Sequence, residues 1–258
     1  MLKRGNKKGQ IAIFAVVALV IVFAILLFFF LRREVKIGVE EELNPQSFVR
    51  TCAKDGVQQA LEVMMPQGGF IESSNYKLYK DNKVAYLCYT NRYYEPCINQ
   101  QPLYVNHIAD DIKRFIEPKI DECFFTLEQE MTGRGYAFEQ QGKGLSVILE
   151  EGNIIIDIDR EVVYGKESRE RADDFSYQFT SRIYDLAKVA REIGKQEAQF
   201  CNFNTASYST TYPDFDIEKK NIGFRDDSSS IYIIRDKRTQ EELLIAIRSC
   251  ETPPGFLG

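Results

Sequence analysis

Residues 145–159, LSVILEEGNIIIDID, decide how the rest of the chain is read. Apolar and polar residues alternate on either side of Gly152 and Asn153, and a period of two puts them on opposite faces of a strand. A Gly-Asn pair between two such runs marks a tight turn, so the stretch predicts an antiparallel hairpin. Downstream, SSIYIIRD (229–236) and ELLIAIRS (242–249) form a second strand pair around the polar turn KRTQE. Upstream, FIESS (70–74) and KVAYLCYT (83–90) also read as strands.

Between these lie helical periodicities. Asn44 is placed to cap, and Pro45 to open, a helix running to about Met65, with an apolar stripe of Phe48, Cys52, Val57, Leu61 and Met64. A second helix starts near Asn106 and carries Ile108, Ile112, Ile116, Ile120, Cys123, Leu127 and Met131. Pro118 falls inside it and is expected to kink it, since the ring removes one intrahelical bond. A third spans about 174–198 on Phe179, Ile183, Leu186, Ala190 and Ile193. Strand pairs joined by tight turns, with helices interspersed, predict an α+β class: antiparallel sheets packed with about three helices. The segment TGRGYAFEQQGK (132–143) suggests a division into a helix-rich lobe, 45–135, and a second α+β lobe, 136–258.

The chain begins quite differently. Residues 11–31, IAIFAVVALVIVFAILLFFFL, contain no charge, Pro or Gly. A helix of 21 such residues spans about 30 Å, the thickness of the bilayer's hydrocarbon core. A secretory signal has a shorter apolar stretch that ends in small residues; this run ends in Phe and Leu, so a retained transmembrane helix is expected. Lys3, Arg4, Lys7 and Lys8 precede it, whereas Arg32, Arg33 and Lys36 follow among acidic residues. Counting Lys and Arg places 1–10 in the cytoplasm and everything beyond a connector, 32–44, outside the membrane.

The six cysteines, Cys52, Cys88, Cys97, Cys123, Cys201 and Cys250, all follow the apolar run, and an even set in that position fits an oxidising compartment. Cys52 and Cys123 lie on apolar stripes of two helices that share a core, and Cys88 and Cys97 flank the short Tyr-rich turn TNRYYEP. Cys201 and Cys250 remain as the third pair. Residues 32–258 hold 29 Lys and Arg against 38 Asp and Glu, a net −9 that argues against nucleic acid as a partner.

Directly before the apolar run stands Lys7-Lys8-Gly9-Gln10, which resembles the class III signal of archaeal type IV pilin-like proteins. The resemblance implies a prepilin-type peptidase that cuts between Gly9 and Gln10 and leaves the helix in place. The family carries Ser and Glu at the third and fifth mature positions, where this chain has Ala12 and Phe14. The segment FVRTCAKDGVQQALEVMMPQGGF (48–70) is similar to a Cys-bearing helix and Gln-Gly-Gly turn in archaeal membrane-anchored proteins; that likeness implies architecture and no chemistry.

Catalytic signals are sparse. No nucleophile elbow, phosphate-binding loop or His-Glu-x-x-His helix occurs. Zinc sites place paired ligands in short loops, whereas the closest cysteines are nine apart and His107 is the one histidine. Asp157, Asp159 and Glu161 alternate along one strand and share a face, which a cation or plain solvent would satisfy. Tyr86, Tyr89, Tyr93, Tyr94 and Tyr104 gather around one hairpin, as packing or as a recognition surface. No cofactor or metal is expected. The sequence thus predicts a non-enzymatic, membrane-anchored surface protein, pilin-like, adhesive or part of an envelope complex. Its expected partners are the lipid bilayer, a prepilin-type peptidase and other envelope proteins. The alternative is a membrane-tethered enzyme or ligand-binding module with a carboxylate-lined site.

Overall fold

The computed structural model describes residues 17–27, 43–223 and 228–252. Residues 17–27 (α1) are helical and exposed throughout. Among the described residues no helix is long and apolar enough to cross a membrane. The rest of the expected span 11–31, the segment 1–10 with Gly9 and Gln10, and most of the connector 32–44 lie outside the described residues.

Residues from Asn44 onward form one compact unit. Its first helix, α2 (Pro45–Met64), opens as the sequence predicts: the Asn44 side chain accepts from the N–H groups of Gln46 and Ser47 at 2.9 and 3.2 Å, and Pro45 takes the first turn. The buried stripe differs from the expected one, running through Val49, Ala53, Gly56, Val57, Ala60 and Met64. Small residues set the seam because they let the partner helix come close; a Cβ on Gly56 would sit 3.4 Å from Ile116 Cγ2. That partner, α3 (Tyr104–Gly133), continues through Pro118 and buries each of the apolar residues expected of it, with Phe124 in addition.

FIESS is not a strand. The strand β1 (Tyr76–Tyr79) begins later, because the backbone before it is held by side chains: the Ile71 N–H donates to Asp111 Oδ2 at 3.0 Å. β2 (Asn82–Tyr89) and β3 (Ile98–Asn99) follow. The expected hairpin is β4 (Ala137–Glu150) with β5 (Asn153–Gly165), turning at Gly152 with φ +75°. After β6 (Glu170–Ala172), the stretch assigned to the third helix divides. Phe175–Thr180 is a strand, β7, which pairs with β5, and the helix α4 runs from Ile183 to Phe200. Alternation of Phe175 and Tyr177 with Ser176 and Gln178 prevails over helical spacing there, since each ring reaches the core from one sheet face.

A short α5 (Thr205–Thr211) leads to β8 (Phe215–Ile222), β9 (Ser229–Asp236) and β10 (Glu242–Arg248). Two sheets result. A six-stranded one runs β1-β2-β10-β9-β8 with β3 also on β2, and a four-stranded one runs β4-β5-β6 with β7 also on β5. The α+β class stands, with one correction: β10 pairs with β2 in parallel, through Ala246 opposite Tyr86 and Ile247 opposite Cys88. The two strands are far apart in the chain, so no tight turn imposes an antiparallel direction. Strands from both sides of residue 135 therefore share one sheet. Helix α4 packs on it so closely that a Cβ on Gly194 would lie 3.4 Å from Leu87 Cδ2.

Candidate functional site

The cysteines pair as Cys52–Cys123, Cys88–Cys97 and Cys201–Cys250, with Cα separations of 6.2, 5.4 and 5.6 Å. This is the connectivity set out from the sequence. It joins α2 to α3, closes the turn after β2, and fastens the end of α4 to the chain after β10.

The expected carboxylate row lies on the outer face of β5, but its members are engaged separately. Asp157 accepts a hydrogen bond from Ser176, while Glu161 accepts from Gln141 Nε2 at 2.9 Å and pairs with Arg171 at 3.2 Å. Asp157, Asp159, Asp173 and Asp174 border a groove of about 430 Å³. Among the described residues no three His, Cys, Asp or Glu side chains are placed to hold a metal ion.

The tyrosines serve mainly the core. Tyr104 is fully buried, donates to Gly68 O at 2.7 Å, and burial pushes its hydroxyl pKa upward. Tyr86 is buried with its hydroxyl 2.7 Å from Ser229 Oγ, and its ring meets Tyr89 edge-on at 4.8 Å. The Arg248 guanidinium lies over the rings of Tyr89 and Tyr93. Of the five, Tyr94 alone is largely exposed, at 57%.

His107 stacks on Phe70 at 4.3 Å with Nε2 3.5 Å from Asp111 Oδ2, on the same helix one turn on. Asp111 is buried and also meets Arg114 and the Ile71 N–H. Burial acts to raise its carboxyl pKa, but His107, the Ile71 N–H and Arg114 together hold it below the ordinary aspartate value. A cavity of about 430 Å³ adjoins it, lined by Ile71, Glu72, Asp111, Arg114, Phe115 and Pro118. Its one buried carboxylate already accepts from the Ile71 N–H and from Arg114, so the cluster clamps the loop before β1 to α3.

The remaining site was not among the candidates read from the sequence. Along β5 the inward positions are Ile154, Ile156, Ile158, Arg160 and Val162. A guanidinium thus occupies an apolar row, 7% exposed, over the Phe124 ring at 4.6 Å and paired with Asp121 of α3. Its Nε is buried and donates to nothing among the described residues. Burial lowers the Arg160 pKa from its usual value, though a guanidinium stays charged there.

Opposite Arg160 the ladder breaks. Gln141 faces Glu161 and Gly144 faces Asp159, so Gly142 and Lys143 together oppose Arg160 in a β-bulge. Gly142 has φ +85°, and a Cβ there would lie 2.5 Å from Asp159 O, so only glycine fits. Over Arg160 opens a cavity of about 620 Å³ lined by Asp121, Gln140, Gln141, Gly142 and Lys143. The signal was present as one charged residue in the inward row of an otherwise apolar alternation.

Comparison of the chain with protein-family models, with curated proteins and with solved structures finds no match.

Proposed function

We propose that the chain is a single-pass membrane protein with residues 1–10 in the cytoplasm and the unit from Asn44 onward outside the membrane, where it presents a stapled α+β surface and catalyses no reaction. The observation that carries this reading is the pairing of all six cysteines inside one compact unit that follows a 21-residue uncharged run. Disulfides persist in oxidising compartments, and a run of that length and composition suits a bilayer. The exposed apolar side chains of α1, among them Leu19, Val20, Phe23 and Leu26, support it, since a helix apolar on every side is satisfied by lipid. The Lys7-Lys8-Gly9-Gln10 signal supports processing by a prepilin-type peptidase. Phe14, in the position where pilins carry Glu, favours a component of an envelope complex over a filament subunit. Protease added to intact cells tests the topology. Digestion of the folded unit while a cytoplasmic marker survives is expected; protection until the cells are lysed overturns the reading.

A second reading, a membrane-tethered ligand-binding module, is favoured by one observation, the polar cavity over the buried Arg160. The site differs from the carboxylate-lined one expected: it offers two cations and one carboxylate.

A further inference from the structure

We propose that the cavity over Arg160 binds a hydroxylated monocarboxylate, a molecule of the sugar-acid type, with Arg160 and Lys143 as its cationic contacts. The inference rests on the ligand-binding reading and not on the anchor, because every residue involved lies within Asn44–Gly258.

Several features converge on that chemistry. A guanidinium presents a planar fork of donors that matches a carboxylate, and Arg160 lines the cavity while its buried Nε has no partner among the described residues. Asp121 pairs with it from the cavity's rim, with its side chain 51% exposed. The bulge at Gly142 and Lys143 sets two residues against one, the arrangement by which strands re-aim a side chain beside a site. With Lys143 and Arg160 against Asp121, the cavity carries a formal +1. A single negative charge is matched; a dianion would meet the Asp121 carboxylate uncompensated. The local sign also opposes the net −9 of residues 32–258, so the cavity stands out from its surroundings.

The lining selects for hydroxyl groups as well as charge. None of the described residues that line the cavity has an apolar side chain. One amide N–H of Gln140 donates to Glu128 of α3 at 3.0 Å, which orients that amide and leaves its carbonyl oxygen as an acceptor. That oxygen and the Asp121 carboxylate ask for O–H donors on the ligand.

The test uses the full chain in detergent micelles, titrated with D-glucuronate, D-glucose and acetate, and read by calorimetry and by the Arg160 Nε–H resonance. Saturable binding of glucuronate that moves this resonance is expected, with glucose silent and acetate weaker. Lys143 is exposed, so Lys143→Ala is expected to keep the melting temperature and to weaken glucuronate about tenfold. Absence of saturable glucuronate binding up to about 10 mM overturns the proposal, as does glucose binding equal to glucuronate. Acetate binding as tightly as glucuronate overturns the hydroxyl requirement, and unchanged affinity in Lys143→Ala overturns the assignment to this cavity. None of these outcomes bears on protease accessibility, so this proposal and the anchor fail separately.

Discussion

Arg182 Nε donates to Asp236 Oδ2 at 2.9 Å, across the junction between the strand β7 of one sheet and the last residue of β9 in the other. The same guanidinium reaches Asp185 at 3.2 Å, and Asp185 in turn accepts the Gly152 N–H of the β4–β5 turn. One buried charge cluster thus fixes the two sheets and the start of α4 to each other. Removing one partner of a buried pair leaves the other charge uncompensated, at a cost of about 3 kcal/mol. Asp236 is 0% exposed and also accepts from the Arg238 and Thr239 N–H groups. Asp236→Ala is therefore expected to lose about 3 kcal/mol in chemical denaturation. A loss below about 1 kcal/mol, the range of exposed pairs, would contradict the role.

Acid should act through two buried aspartates, Asp236 and Asp111. Burial opposes ionisation of Asp236, but the Thr239 and Arg238 N–H groups and Arg182 hold its carboxyl pKa below the ordinary value, and Asp111 is held low likewise. A depressed carboxyl contributes its stability fully above the unfolded value of about 4 and loses it as pH falls through the folded value. Unfolding free energy is expected to be level near neutrality and to drop below about pH 4. In Asp236→Asn the acid slope should be shallower than in the wild type; an unchanged slope excludes Asp236 as a source.

The three disulfides should differ in weight. Their sequence separations are 71, 49 and 9 residues. On the chain-entropy model, opening Cys52–Cys123 or Cys201–Cys250 costs about 4 kcal/mol each and opening Cys88–Cys97 about 2.5 kcal/mol. Paired Cys→Ser variants measured by thermal unfolding check the order. Equal losses for all three would mean that local packing, and not loop closure, sets their contribution.

How much was legible follows from where the physics is local. The cap at Asn44, the isoleucine row of α3 and the β4–β5 turn each depend on residues within one or two turns of chain, and each is found where its pattern stands. The cysteine pairs depended on reading which stripes face one core. Less local features escaped. FSYQFT (175–180) read as helix because Phe179, Ile183 and Leu186 continue a helical spacing, whereas pairing with β5 decides its conformation. The parallel β2–β10 contact joins residues some 160 apart, which no window of sequence reveals. Polar β8 (FDIEKKNI) alternates too weakly to announce an edge strand. Arg160 stands in the sequence as one charge in an inward isoleucine row, but the alternating acidic residues on the opposite face of β5 form the more conspicuous pattern.

Processing at the amino terminus makes its own prediction. If the class III signal is used, the mature chain begins at Gln10, and Gly9→Val accumulates a form that retains residues 1–9. Intact-mass measurement of the purified protein checks both. A wild-type mass that includes residues 1–9 removes the peptidase from the account and leaves the anchor standing.

The central claim is that residues 11–31 hold this protein in a bilayer. Alkaline carbonate extraction of isolated membranes tests it most directly, because it strips proteins held by charge or by partners and leaves those whose apolar helix sits in lipid. The account predicts that the chain stays in the membrane pellet, with its cysteines still paired; recovery of the intact chain in the carbonate supernatant would contradict it.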